Sequence, residues 1–296
     1  MVHIASSGQM EDVLMLVKTY PTPSRSYGEL VCTAGIRLRD MQWIRIYPYP
    51  FRLIDQDNRF RKWAVMRMPL VKATNDPRPD SYNLVDASQI TEVHYYALKG
   101  DKFWAERMPF IRDTAVASVA ALTEGMLTPD RQAWGPSILP VPVQAGSAEV
   151  TFKRLGDQWG PKELEKLERA KDQVQHNLFV PEEVKQFFQT LKRLPYRVYV
   201  SFEDLTGARY KISVLDWEIG ALWFNSRKTS ATDEEALEKI RFKIEDQIFD
   251  AKREPYLVLG SLHHRFKRRD LLAIDAFIWP ERPKPQPASQ PNLFGD

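Results

Sequence analysis

Apolar positions along this chain fall into short runs broken by proline, glycine and charge. Val13-Leu14-Met15-Leu16-Val17 is an unbroken apolar run and predicts a buried strand, stopped by the turn signal Pro21-Thr22-Pro23-Ser24. Tyr27 to Leu38 reads as a short helix started by Ser26. Strands are expected over Gln42–Tyr47, broken by Pro48 and Pro50, over Trp63–Met68, and over Glu92–Leu98. Many short strands with proline-punctuated loops point to a small barrel or sandwich rather than alternating β-α units. The alanine-rich stretch Thr114–Glu124 predicts a helix.

The pattern changes in the second half. Pro161–His176 and Pro181–Leu191 read as helices, the second with proline at its start, where no N–H is needed. Tyr196, Val198, Val200 and Phe202 alternate with Arg197, Tyr199, Ser201 and Glu203; Asp204-Leu205-Thr206-Gly207 turns the chain, and Tyr210, Ile212 and Val214 alternate on the return. Thr232–Lys252 predicts an amphipathic helix with a Thr232/Glu235 capping box and Leu237, Ile240, Ile244 and Ile248 on one face. Strands follow at Tyr256–Leu259 and Leu271–Trp279. The fold class is therefore α+β. A β-rich, barrel-like domain occupies 1–126, a proline-rich linker 127–146, an α+β domain with a mostly antiparallel sheet 147–280, and a disordered tail 281–296.

Composition narrows the class. With 43% apolar and 27% charged residues in 296, the chain can bury a core, and no apolar run approaches the ~18 residues that span a bilayer. No membrane partner is expected. Glu11 and Asp12 stand where a signal peptide would carry positive charge, so the expected location is cytoplasmic. The single cysteine, Cys32, allows no internal disulfide and reads as an inert buried thiol on a helix face. Glycine-rich phosphate loops, dinucleotide fingerprints and metalloprotease histidine pairs are missing from the sequence.

The net charge is only +3, but between Leu16 and Lys72 eleven cations face four acids. Most are arginines: Arg25, Arg37, Arg39, Arg45, Arg52, Arg59, Arg61 and Arg67, interleaved with rings such as Trp43 and Tyr47. In Trp43-Ile44-Arg45-Ile46-Tyr47, strand alternation puts Trp43, Arg45 and Tyr47 on one face. Guanidinium groups and rings projecting together from a β-surface would grip phosphates and stack bases. A second cationic stretch, Arg265, Lys267, Arg268 and Arg269, joins two late strands.

Two further features carry chemistry. Asp216 and Glu218 lie two apart in a stretch read as a strand, which would place both on one face, and Asp275 interrupts another apolar strand. Converging carboxylates can hold Mg²⁺ or Mn²⁺ for phosphodiester hydrolysis; otherwise no cofactor or resident metal is expected. At the far end, Gln290-Pro291-Asn292-Leu293-Phe294 resembles the bacterial sliding-clamp-binding peptide, with Gln290, Leu293 and Phe294 at its key positions. The resemblance covers five residues and implies a clamp as partner, reached through a proline-rich tether.

The leading expectation is a nucleic-acid-binding accessory protein, directed to DNA and recruited to the clamp. The alternatives are a metal-dependent nuclease built on Asp216, Glu218 and Asp275, and a protein-interaction adaptor. Whether the chain is an enzyme is left open by its sequence.

Overall fold

The computed structural model describes residues 8–24, 28–49, 60–76, 78–97, 103–126, 135–175, 192–261 and 272–282. Its first seven strands are β1 (Gln9–Lys18), β2 (Thr22–Ser24), β3 (Gly28–Arg37), β4 (Gln42–Tyr49), β5 (Ala64–Lys72), β6 (Ser81–Leu84) and β7 (Thr91–Tyr95). Strands β1-β3-β4-β6-β5 pair in that order, and β5 pairs back onto β1, so five strands close into a barrel. All ring pairs are antiparallel except β4–β6. Closure removes the free edges of the ring; β2 and β7 flank it, on β3 and β5.

The second half contributes β8 (Ile138–Pro142), β9 (Glu149–Arg154), β10 (Tyr196–Glu203), β11 (Arg209–Val214), β12 (Tyr256–Ser261) and β13 (Leu272–Ile278). They form one sheet in the order β8-β12-β13-β11-β10-β9, with β11–β13 the parallel pair. Helices α1 (Phe103–Arg112), α2 (Val119–Gly125), α3 (Pro161–Gln175), α4 (Trp217–Lys228) and α5 (Asp233–Phe242) complete the described chain, and α5 runs on into a π-helical turn over Lys243–Ile248. The architecture is the β-rich α+β arrangement implied by the sequence.

Three corrections bear on the site. Gly28–Arg37 is strand β3 rather than a helix, because its residues pair with both β1 and β4. The 127–146 stretch is more than a linker: β8 lies inside it and pairs with β12. Val119 and Leu122 of α2 belong to the core of the second sheet, so the first unit does not extend to 126. The helix read over 181–191 and the tail from 283 onward lie outside the described residues, while Glu281 and Arg282, assigned to the tail, are held by a bridge to Arg253 and a hydrogen bond from Arg282 N to Lys252 O.

The barrel and the sheet share a core. One face of β1 and β4 fills the barrel with Val13, Met15, Ile44 and Ile46. The other carries Leu14, Leu16 and Trp43, which pack with Ala34 and Ile36 of β3 onto Ile138, Tyr256, Val258, Ala276 and Ile278 of the sheet. This double burial is why Val13–Val17 is apolar without alternation. The opposite face of the sheet is covered by α2, α4, α5 and the π-helical turn through Val119, Trp223, Ile240 and Ile244.

A polar seam runs through the shared core. Arg45, 3% exposed, donates to Ser137 Oγ at 2.9 Å and Ser137 O at 3.0 Å, and its guanidinium lies 3.7 Å from Asp275. Asp80 accepts from Ser137 N at 2.7 Å. Gly260 leaves room for the ion pair, since a Cβ there would overlap both the Asp275 carboxylate and the Arg45 guanidinium. Burial pushes the Asp275 carboxyl up to about 6 despite the facing Arg45. From its ordinary value of 3.8 up to about 6 the folded state holds a proton that the unfolded chain has released, so this contribution to stability falls as pH rises through that window. We predict that the stability difference between wild type and Asp275→Asn, from urea denaturation, shifts against wild type by on the order of 3 kcal/mol between about pH 4 and about pH 7. A difference constant with pH would contradict the burial of this carboxyl.

Candidate nucleic-acid interface

The basic stretch of the barrel is not the outward platform its pattern suggests. Trp43 and Arg45 are each 3% exposed and point into the shared core. Strand alternation is obeyed, but both faces of β4 are covered, one by the barrel interior and one by the second sheet. Tyr47 alone of that trio reaches the surface. Arg37 is buried against Asp40 at 2.7 Å and Tyr82 Oη at 2.8 Å. Arg39 pairs with Glu11, Arg61 with Glu92 and Arg67 with Asp12. Among the described residues, every cation of this stretch is engaged. Arg25, Arg52, Arg59, Arg265, Lys267, Arg268 and Arg269 lie outside them, as do Gln290, Leu293 and Phe294.

The three acids are also placed differently. Asp216 ends no strand face; it caps helix α4, its carboxylate accepting from Glu218 N at 2.7 Å. Asp275 belongs to Arg45. Lys62 of the barrel donates to Asp216 at 3.0 Å and to Glu218 at 2.8 Å, across 154 and 156 residues of chain. Burial pushes the Asp216 carboxyl up. Burial opposes the Lys62 ammonium, but Asp216 and Glu218 outweigh it and lift its pKa, so the lysine stays charged. Among the described residues, no group of three or more His, Cys, Asp or Glu is placed to hold a metal ion. The sequence-predicted ligand set is thus two separate ion pairs. Cys32 lies on a strand rather than a helix, and burial raises its thiol pKa, which disfavours the reactive thiolate.

Three cations without an ion pair among the described residues lie on the second sheet. β9, β10 and β11 turn Val150, Val198, Val200, Phe202, Ile212 and Val214 toward the helices. Their opposite face carries Lys153, Arg197, Tyr199 and Lys211. Register places Arg197 directly opposite Lys153, and Tyr199 between Thr151 and Ser213. Lys211 Nζ sits 5.8 Å from the Tyr199 ring centroid. Lys153, Arg197 and Lys211 are exposed and make no ion pair among the described residues. Like charges directly opposite on a sheet are locally unfavourable. At the far end of the same face Arg209 is neutralised by Glu149 and Glu203. The Arg197/Tyr199 alternation was visible in the sequence, but Lys153 joins it only through a strand pairing that spans a helix.

At the start of β10, on the helix-covered side of the same sheet, opens a cavity of about 320 Å³. Its walls include the rings of Tyr20, Trp159, Tyr196 and Trp223; Lys166, Arg193 and Arg197 also line it, with the acids Glu163 and Asp216. Tyr20 comes from the barrel, is held by its hydroxyl donating to Lys192 O at 2.9 Å, and packs over Gly220, where a Cβ would overlap its ring. Arg197 borders the cavity through its place in the chain between Tyr196 and Val198, while strand alternation sends its side chain to the opposite face. No sequence signal foretold this assembly, whose members come from five separate segments.

The buried Lys62–Asp216 pair ties the barrel to α4 beside this cavity. Lys62→Met should cost about 3–5 kcal/mol in urea denaturation, because it leaves a buried carboxylate without its cation. Adding Asp216→Asn, which keeps a capping side chain, should restore most of that loss. Equal stability of the single and double variants would contradict the pairing.

No curated protein and no solved structure matches the chain. Residues 9–113, which hold the barrel strands and α1, match the family model described as Domain of unknown function (DUF8758). Residues 137–295, from β8 through the tail, match the one described as Domain of unknown function (DUF8757). That second match spans more than half of the sequence, and the protein belongs to the DUF8757 family.

Proposed function

We propose that this protein is a cytoplasmic nucleic-acid-binding accessory protein, directed to DNA, whose polyanion surface is the outer face of β9–β11. The observation that carries this reading is the set of unpaired, exposed cations Lys153, Arg197 and Lys211 around the Tyr199 ring. Cations held together without acids fit a ligand that supplies negative charge at regular spacing, and a ring among them fits base stacking. Five-stranded barrels that bind oligonucleotides use their second and third strands. The corresponding ring strands here, β3 and β4, are occupied by the second sheet, which moves the binding role onto that sheet.

The C-terminal peptide Gln290, Leu293 and Phe294 supplies the proposed attachment to the sliding clamp. The reading is supported by its resemblance to clamp-binding peptides. Tethering would raise the local concentration of the cationic face at DNA without new contacts.

Binding to single-stranded DNA, duplex DNA and RNA, titrated with salt, tests the surface. The triple variant Lys153→Ala, Arg197→Ala, Lys211→Ala should bind about tenfold or more weakly, with the slope of log affinity against log salt reduced by about 2. Arg61→Ala with Arg67→Ala should change neither. Binding that survives the triple variant with its slope intact would sink this surface. Separately, Leu293→Ala with Phe294→Ala should abolish capture by immobilised bacterial clamp and leave oligonucleotide affinity unchanged; undiminished capture removes the tail from the proposal.

A further inference from the structure

We infer that the cavity at the start of β10 is a pocket for one nucleobase of a single strand, with the adjoining phosphates held at Arg193 and Lys166; this rests on the nucleic-acid reading above and names its ligand.

The shape and lining fit that chemistry. A cavity of about 320 Å³ lies at the small end of the range for ligand pockets. Four rings contribute to it, which suits a flat aromatic guest rather than a sugar or an aliphatic chain. Tyr196 and Trp223 are already an aromatic pair, their centroids 5.1 Å apart, so the inner wall is rigid. Trp159 is half-buried with Arg193 over its ring at 5.9 Å, which puts an aromatic plane and a guanidinium side by side at the more open part. Planar ring and planar cation both stack on bases.

Charge divides along the cavity. Lys166, Arg193 and the acid Glu163 are half-exposed, two cations to one anion, whereas Trp223 and Asp216 are buried. An anion is therefore favoured outside and an uncharged ring inside. Asp216 adds the one buried carboxylate of the lining. Its two oxygens accept from Glu218 N and from Lys62. A guest with an apolar plane and an attached phosphate meets both the rings and the cations. The cavity and the cationic face lie on opposite sides of the sheet and meet at one end of it, where Arg197 pairs with Lys153, so a strand lying across β9–β11 reaches the opening around that end.

The ligand chemistry has two sources, a base within a strand and a free mononucleotide. The full chain is therefore titrated with a labelled single strand of about ten nucleotides, the same backbone with its bases removed, each free deoxynucleoside monophosphate, and inorganic phosphate. Wild type should bind the strand at least about tenfold more tightly than the abasic backbone, the effect of stacking one base. Trp159→Ala should lose about tenfold on the strand and nothing on the abasic backbone, a split that general damage to the fold would not produce. Leu155→Trp, which fills the cavity instead of opening it, should give the same split. Phosphate alone should not compete.

Equal affinity for strand and abasic backbone in wild type, or equal losses on both in the variants, overturns the pocket and leaves the cationic face standing. Mononucleotide binding that Trp159→Ala removes, with no binding of any strand, supports the base pocket as a free-nucleotide site and overturns the nucleic-acid reading. Binding of no probe overturns both.

Discussion

The barrel and the second sheet are locked around a buried guanidinium. Arg45 projects from β4 into a space where a cation is stable only if oxygen atoms surround it. Ser137 supplies a hydroxyl and a carbonyl, and Asp275 supplies opposite charge. Those partners come from β13 and the approach to β8, so the barrel must sit on the sheet for Arg45 to be satisfied at all. Gly260 on β12 is the space that permits it. A second tie, Lys62 to Asp216 and Glu218, joins the residues just before β5 to the start of α4. Apolar packing of Leu14, Leu16 and Trp43 on Tyr256, Val258 and Ile278 accounts for the area of contact; the ion pairs fix its register.

That docking decides where a ligand can go. It consumes the outer sides of β3 and β4, the richest combination of arginine and ring in the sequence, and leaves the outer side of β9–β11 open. Lys153, Arg197 and Lys211, which make no ion pair among the described residues, lie there. The same docking brings Tyr20 of the barrel onto Gly220 of α4 and so completes the wall of the aromatic cavity. Surface and cavity are products of one packing arrangement rather than separate features.

The sequence was informative where one face of an element meets water. The β10–β11 hairpin alternates cleanly and was legible to the residue. The cap of α5 was equally plain, with Thr232 accepting from Glu235 N. Reading failed where both faces are buried. Leu30-Val31-Cys32-Thr33-Ala34 lacks alternation because β3 lines the barrel and meets the sheet, and its apolar run imitates a helix. Trp43 and Arg45 were placed correctly on a shared face, but periodicity does not say what covers a face. Asp216 and Glu218 sit two apart in a stretch that looks strand-like, whereas the structure begins a helix there with Asp216 as its cap. Lys62 meets them only after 154 residues of intervening chain, a distance no local pattern encodes.

The proposed polyanion binding falls to β9–β11 rather than to the barrel. Hydrogen exchange of the full chain, with and without a saturating single strand, addresses this directly. Protection is expected in β9, β10 and β11 and around Tyr20 and Trp159, with β4 unchanged because it is already interior. Protection confined to the barrel strands, with β9–β11 unaffected, would contradict the account.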